Sequence, residues 1–217
     1  MLNEQEFIDK ARQELQIPTF ELTKQYLAVL QIQMDNGIAA VARVNINHST
    51  NLVAVYFKVV KEDFFVVVNV TKSPDLKIDW VWIELGHRVY LTATSEELDF
   101  SQLSGFLTLT PLTGWSKGDL QPNNKMHYKF SRVSFELNKE LPFDLEEKLE
   151  DLVTALENDS EGIINLSKVA YISIVVYRYQ YVSGNAGIEL TSNMINRLAK
   201  LNLGISFDQY ISGKAIE

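Results

Sequence analysis

The chain has 217 residues, of which 46% are apolar, it contains no cysteine, and its formal net charge is −8 at pH 7. Such a composition supports a packed core and excludes disulfides, thiolate catalysis and cysteine-based metal sites. The negative charge argues against nucleic acid as a partner, because phosphate contacts need clustered Lys and Arg, and it favours a basic protein partner instead.

The amino terminus has neither the basic nor the apolar region of a secretory signal. No apolar run approaches the roughly 18 to 20 residues needed to cross a bilayer. We therefore predict a cytoplasmic protein with no membrane partner.

The first half of the sequence predicts one helix followed by antiparallel strands. Apolar residues recur at helical spacing in residues 4–15. Residues 27–34 and 38–46 are predicted to form a hairpin about Asn36 and Gly37, which accept the positive φ of a type I′ turn, although residues 26–29 also suit a helix. Further strands are predicted at residues 52–60, 64–70 and 78–85.

The second half alternates strands with helices. Strands are predicted at residues 87–94, 126–137, 170–181 and 205–211, and helices at residues 101–107, 144–156 and 192–203. This alternation predicts a small β/α domain with its helices on one face of a sheet. The fold class is therefore predicted as α+β, with a helix and β-meander domain at residues 1–86 and an α/β sandwich domain at residues 87–217.

Sequence motifs for catalysis are missing. The three histidines, His48, His87 and His127, have no second histidine at metal-ligand spacing, and no glycine-rich phosphate loop or nucleophile motif occurs. We therefore predict no metal, no cofactor and no enzymatic activity.

The acidity of the chain is concentrated in residues 140–161, which hold nine acidic side chains and one lysine. Within this segment, residues 144–156 have an amphipathic helical pattern. The apolar stripe consists of Leu145, Leu149, Leu152, Val153 and Leu156. The carboxylates on the adjoining arc are Glu146, Glu147, Glu150, Asp151 and Glu157.

Helix capping explains only part of this acidity. Asp144 is a candidate N-cap with Glu147 as its capping-box partner, and acids in the first turn suit the helix dipole. Acids from Glu157 onward lie where the dipole disfavours them, and like charges four residues apart repel. The arc is either a solvated helix face or a partner-binding surface. On the second interpretation, reversing Glu146, Glu150 and Glu157 together should leave the fold intact and abolish binding.

Residues 170–181 predict a strand with an aromatic face. Tyr171, Tyr177, Tyr179 and Tyr181 occupy alternate positions and so share one face, whereas Ile172, Ile174 and Val176 share the other. Either a helix covers this face, or it is an exposed aromatic binding surface of the kind enriched in interfaces. The predicted partner-binding site joins Tyr177 and Tyr179 to the acidic arc.

From Val89 onward the order of residues resembles a known family. The matching segments are Val89–Ser95, Leu103–Pro111, Gly114–Asp119, the helix at 145–156, the strand with Tyr177 and Tyr179, the turn at 185–188, Leu198–Gly204 and Phe207–Tyr210. They resemble the bacterial domain-of-unknown-function family numbered 4279, over about residues 87–217. Within them, Gly118 is expected to adopt a positive φ and Asp119 to hydrogen-bond its own loop. The resemblance implies no assigned activity, but the family is similar in size and acidity to immunity proteins of bacterial toxin systems.

Taken together, these observations predict a non-enzymatic protein-binding module. Its most concrete form is an immunity protein that neutralises a basic toxin with its acidic helix. Two alternatives stay open. One is an enzyme or small-molecule binder with a site between the two halves, and the other is a structural subunit of a bacterial complex.

Overall fold

The computed structural model describes residues 3–72, 74–122, 125–184 and 187–216, so Asn185 and Ala186 of the predicted turn lie outside the described residues. The chain separates into two compact units. Unit 1 comprises Met1–Gly86, Arg178–Ala186 and Gln209–Glu217, and unit 2 comprises His87–Tyr177 and Gly187–Asp208. Helices and antiparallel strands occur together, which confirms the α+β fold class.

The first segment of unit 1 carries two helices followed by strands. In chain order these are α1 (Glu4–Gln16), α2 (Glu21–Val29), β1 (Met34–Asp35), β2 (Ile38–Ala39), β3 (Val41–Ile46), β4 (Leu52–Lys58), β5 (Phe65–Thr71) and β6 (Ile78–Glu84). Strands β3 to β6 form an antiparallel sheet in chain order, which is the predicted meander. Its core joins Val55 and Phe57 of β4 to Phe7 and Ala11 of α1.

The hairpin predicted in this segment is only partly correct. The turn is confirmed, since Asn36 and Gly37 have φ values of 51° and 78°. The strand predicted at residues 27–34 is wrong, because residues up to Val29 belong to α2. Leu22 and Tyr26 lie one helical turn apart and both pack into the core of unit 1, so burial favours the helix.

Five strands and four helices follow in chain order. They are β7 (Gly86–Ser95), α3 (Phe100–Ser104), β8 (Thr113–Trp115), β9 (Ser131–Phe135), α4 (Leu145–Asn158), α5 (Ser160–Ser167), β10 (Tyr171–Tyr181), α6 (Ser192–Lys200) and β11 (Gly204–Ser212). The strands form one sheet in the order β11-β10-β7-β9-β8. Strand β9 pairs antiparallel with both β7 and β8. Side-chain hydrogen bonds join Ser173 to Gly204 and Gln180 to Gln209, so β10 and β11 run in the same direction.

The helices of unit 2 cover one face of this sheet, as predicted. Leu91, Val133 and Ile174 are fully buried on three neighbouring strands and share a core with Leu149 of α4 and Leu198 of α6. Because side chains alternate along a strand, the residues between them lie on the face away from the helices.

Three elements differ from the predicted pattern. The strand predicted at residues 126–137 is too long, because β9 begins only at Ser131 and His127 forms an isolated bridge with Leu120. Strand β8 was not predicted, since three residues are too few to show a period. Helix α5 was not predicted because it begins directly after α4, with Asp159 as the shared boundary, so that its acids continue the acidic pattern of α4.

The end of β10 belongs to the core of unit 1. The Tyr181 side chain is 2% exposed, and its ring centroid lies 6.1 Å from that of Tyr26 and 5.4 Å from that of Phe64. Its hydroxyl donates to the Lys214 carbonyl at 2.6 Å. Unit 1 therefore draws two of its segments from beyond the boundary predicted between residues 86 and 87.

We expect residues 87–217 to fold cooperatively when expressed alone, because the whole buried core of unit 2 lies within them. Far-UV circular dichroism and proton NMR would test this, and an unfolded fragment would contradict it. The fragment lacks Tyr26 and Phe64, so Tyr181→Ser should change its stability little. In the full chain the same substitution should lower the free energy of unfolding by about 3 kcal/mol, measured with urea.

Candidate functional site

Helix α4 presents carboxylates to solvent because its other side is apolar. Leu149, Leu152 and Leu156 are at most 2% exposed and pack into the core of unit 2. The helical period then turns the remaining positions away from the sheet, as predicted. The exposed carboxylates are Glu146, Glu147, Glu150 and Asp151, and Glu157 is partly buried.

The start of α4 lacks the predicted capping box. Asp144 is the N-cap residue, but its side chain accepts no capping hydrogen bond from the helix. The burial of Leu145, which is 5% exposed, fixes the first turn instead. Glu146 and Glu147 still suit the positive end of the helix dipole.

The carboxyl end of α4 is compensated by Arg197 of α6. The guanidinium donates to Glu150 at 2.6 and 2.7 Å, to Glu157 at 2.8 and 2.9 Å, and to Thr154 at 2.9 Å. Hydrogen bonds from Arg197 lower the pKa of both Glu150 and Glu157. The predicted repulsion between these like charges is present, since Glu157 opposes the lowering of the Glu150 pKa, but a cation from another helix outweighs it. Reversing Glu150 and Glu157 would not leave the fold untouched.

Asp159 also serves the fold. Its Oδ2 accepts hydrogen bonds from the Thr108 backbone N–H at 2.6 Å and from the Thr108 hydroxyl at 2.9 Å. We call the remaining set of Glu146, Glu147 and Asp151 the acidic face. In the part of the chain that the structure describes, no basic side chain lies within ion-pair distance of Glu146 or Asp151.

Lys148, the one lysine of the acidic segment, points into the protein. It is 3% exposed, and its Nζ donates to the carbonyls of His87 at 2.7 Å and Asn138 at 3.2 Å. Burial lowers the pKa of Lys148 to about 8, although the attraction of Glu136 opposes this. Lys148 thus links α4 to the sheet, and its ammonium group is directed away from the acidic face.

The two predicted tyrosines lie in aromatic pairs. The Tyr177 ring meets the Tyr90 ring edge-on at 5.4 Å, and the Tyr179 ring stacks on that of Tyr210 at 5.4 Å. Tyr179 belongs to unit 1. Tyr177 lies on the sheet face opposite α4, since its neighbour Val176 points into the helix-covered core. The structure therefore does not bring Tyr177 together with the acidic face.

A second candidate site, which sequence reasoning missed, lies on the same sheet face as Tyr177. It is a pocket of about 190 Å³ lined chiefly by Arg88, Tyr90, Thr113, Trp115, Arg132 and Tyr177. We call it the Arg132 pocket. The antiparallel register sets Trp115 of β8 directly opposite Arg132 of β9. Alternation of Arg88 and Tyr90 with Val89 and Leu91 in β7 is a signal for this face, but the register that brings Arg132 and Trp115 beside it is not readable from sequence.

The loop before β9 confirms two predicted structural roles. Gly118 has a φ of +91°, and the Asp119 carboxylate accepts a hydrogen bond from the Ser116 backbone N–H at 2.7 Å. His127 Nδ1 lies 2.6 Å from the Gly118 carbonyl. Within the described ranges no group of three potential metal ligands comes together. None of the helices there has the length and apolar character needed to cross a membrane.

The fold and both candidate sites define an α+β protein whose larger sheet carries helices on one face and a polar, aromatic pocket on the other. Residues 84–212, more than half of the chain, match the family described as a domain of unknown function, DUF4279. The chain belongs to this family, as its resemblance implied. The matched range includes both the acidic face and the Arg132 pocket. No curated protein and no solved structure matches the chain.

Arg197→Leu should lower the midpoint of thermal unfolding by a few degrees, because it removes the guanidinium that bonds to both Glu150 and Glu157. The difference in midpoint should fade as pH falls well below the ordinary carboxyl pKa of 4.5. Stability that comes from a lowered folded-state pKa is complete above 4.5 and is lost as pH falls through the lowered pKa. Lys129→Leu removes an exposed lysine of unit 2 and is the matched control. Equal midpoints for the two variants would contradict the prediction.

Stability should rise between about pH 8 and pH 10.5, because folded Lys148 releases its proton before the lysine of the unfolded chain, whose ordinary pKa is 10.5. The unfolded state then binds more protons, so the free energy of unfolding increases with pH. Relative to Lys148→Met, the wild type should gain about 1 to 2 kcal/mol across this interval, as measured by urea unfolding. A difference between the two proteins that does not vary with pH would contradict the assignment.

Proposed function

We propose that this protein is a non-enzymatic binding protein that docks the acidic face of α4 onto a basic surface of a partner protein. The observation that carries the proposal is the exposure of Glu146, Glu147 and Asp151 after Arg197 and Lys148 have taken their internal partners. The most concrete form is a cytoplasmic immunity protein that covers the basic active site of a bacterial toxin, for example a nuclease.

The remaining charge supports a specific docking surface. Residues 140–161 hold nine acids and one lysine, and the Arg197 guanidinium is shared between Glu150 and Glu157. Within the described ranges no ion pair involves Glu146 or Asp151, so these two exposed carboxylates are available to a partner. The carboxylates of the acidic face stand on a helix that is packed against a core, so their spacing is set before a partner arrives.

Electrostatics of this kind would act mainly on the rate of association. Complementary charges steer partners together and raise the association rate constant, whereas residues buried in the interface set the dissociation rate. The Debye length is about 8 Å at physiological ionic strength, so steering by exposed carboxylates weakens as salt is added. Tyr177, on the opposite face of the sheet, cannot share this interface.

The test is a triple substitution, Glu146→Lys with Glu147→Lys and Asp151→Lys. It should lower the unfolding midpoint only modestly, because two favourable charges in the first turn of α4 are lost while the bonds of Arg197 and the buried stripe of α4 remain. Binding to a basic protein captured from the native host should weaken at least about tenfold at low salt, which is about 1.4 kcal/mol.

The matched control is the triple substitution Glu4→Lys, Asp79→Lys and Glu97→Lys, which changes the net charge equally at exposed positions elsewhere. This control variant should bind the partner with the affinity of the wild type. Equal loss in both triples would mean that only net charge matters, and unchanged binding of the acidic-face triple at low salt would refute the docking surface. For the immunity form, co-expression should rescue cells from the toxin encoded immediately upstream, and the acidic-face triple should not rescue them.

A further inference from the structure

The Arg132 pocket contains two arginines in different electrostatic states. Arg88 makes a two-point pair with Glu136, from Nε at 3.2 Å and from Nη2 at 2.7 Å, and the Glu136 side chain is fully buried. This carboxylate balances the charge of Arg88. Arg132 donates from Nε to the Thr92 hydroxyl at 2.9 Å and from Nη2 to the Tyr90 hydroxyl at 3.5 Å. Both of its acceptors are neutral.

No carboxylate in the described ranges pairs with Arg132, and its Nη1 has no protein acceptor there. A guanidinium carries five N–H donors and stays charged at any physiological pH. Arg132 therefore brings to the pocket a positive charge and donors that the protein itself does not satisfy.

The pocket holds this guanidinium in place before any ligand arrives. Its central carbon lies 5.5 Å from the Trp115 ring and 5.9 Å from the Tyr90 ring, both within cation–π range. Trp115 is itself stacked on Tyr128 at 4.3 Å. A side chain on Gly114 would collide with the Arg132 carbonyl, so glycine is needed for this close approach of β8 to β9.

From this arrangement we infer that the Arg132 pocket binds a small organic carboxylate, whose anionic end pairs with Arg132 and whose apolar body packs between Trp115, Leu112 and Tyr177. This ligand site goes beyond the proposed protein docking and lies on the opposite face of the sheet. The planar fork of arginine matches the two oxygens of a carboxylate. The pocket holds roughly six water-sized groups, which suits an acid with a body no larger than one ring.

The charge of the site favours a single negative charge. Arg132 is the one unbalanced cation among the described pocket residues, because Arg88 is already paired with Glu136. Burial and the hydrogen bond with Tyr177 raise the pKa of Tyr90, so this phenol stays neutral. A phosphate dianion would find only one counter-charge and would gain little from the aromatic walls, whereas a carboxylate with an apolar body uses both features.

Phenylacetate, its neutral amide phenylacetamide, and inorganic phosphate are the probes. In ¹⁵N NMR titrations, phenylacetate should shift the indole N–H signal of Trp115 and the Nε–H signal of Arg132 in a saturable way at millimolar concentration, and phenylacetamide should not. A peptide that ends in phenylalanine tests whether the carboxylate is the C-terminus of a protein chain or a free small acid. The same peptide with a C-terminal amide is its control. Tighter binding of the free-acid peptide than of phenylacetate assigns a chain end, and weaker binding assigns a free acid.

Arg132→Gln should weaken phenylacetate binding at least about tenfold. The affinity of Arg132→Lys for phenylacetate should lie between those of Arg132→Gln and the wild type, because lysine keeps the charge but lacks the planar fork of donors. Arg43→Gln is the matched control, since Arg43 also lies over a tyrosine ring, that of Tyr56 at 5.9 Å, outside the pocket. Equal binding of phenylacetate and phenylacetamide by the wild type would overturn the inference even if the variants failed to fold. Stronger binding of phosphate than of phenylacetate, or no saturable shift, would overturn it as well.

Discussion

The burial of one face of the five-stranded sheet under its helices is the constraint on which both candidate sites depend. Leu91, Val133 and Ile174 lie on that face and share a core with Leu149 of α4. Because successive side chains of a strand point to opposite sides, burying these residues commits their neighbours, Arg132 among them, to the other face. The same contact turns the carboxylates of α4 outward. One apolar surface therefore determines where charge is displayed and where the pocket forms.

Charged side chains in unit 2 divide into those that stabilise the fold and those that stay available. Arg197 bonds to Glu150 and Glu157, and Arg88 bonds to the buried Glu136. A buried carboxylate without such a partner would be strongly destabilising. Among the described residues, Glu146, Asp151 and Arg132 remain outside such ion pairs. Structural pairing thus reduces a broad acidic arc to a smaller surface and distinguishes two arginines that look alike in sequence.

The two surfaces have opposite signs and lie on opposite sides of one sheet. With a net charge of −8, the protein as a whole repels anions at long range, so a carboxylate must gain its affinity from direct contact with Arg132 and the aromatic walls. A protein with a net positive charge, in contrast, is attracted at long range. The overall charge and the local pocket therefore favour ligands of opposite charge.

Local patterns in the sequence were sufficient for α1, the meander of β4 to β6, the buried stripe of α4 and the exposure of Glu146 and Asp151, because each depends on periodicity within a single element. They were insufficient for α2, where packing of Tyr26 outweighed an ambiguous period, and for β8, which is too short to show one. Arg197 is 40 residues from Glu157, and Trp115 is 17 residues from Arg132. Such pairs form only when helices pack and strands choose a register. The sequence by itself therefore determined which side chains could carry charge, and the tertiary structure decided which charges are neutralised, since neutralisation depends on distances between elements that no local pattern encodes.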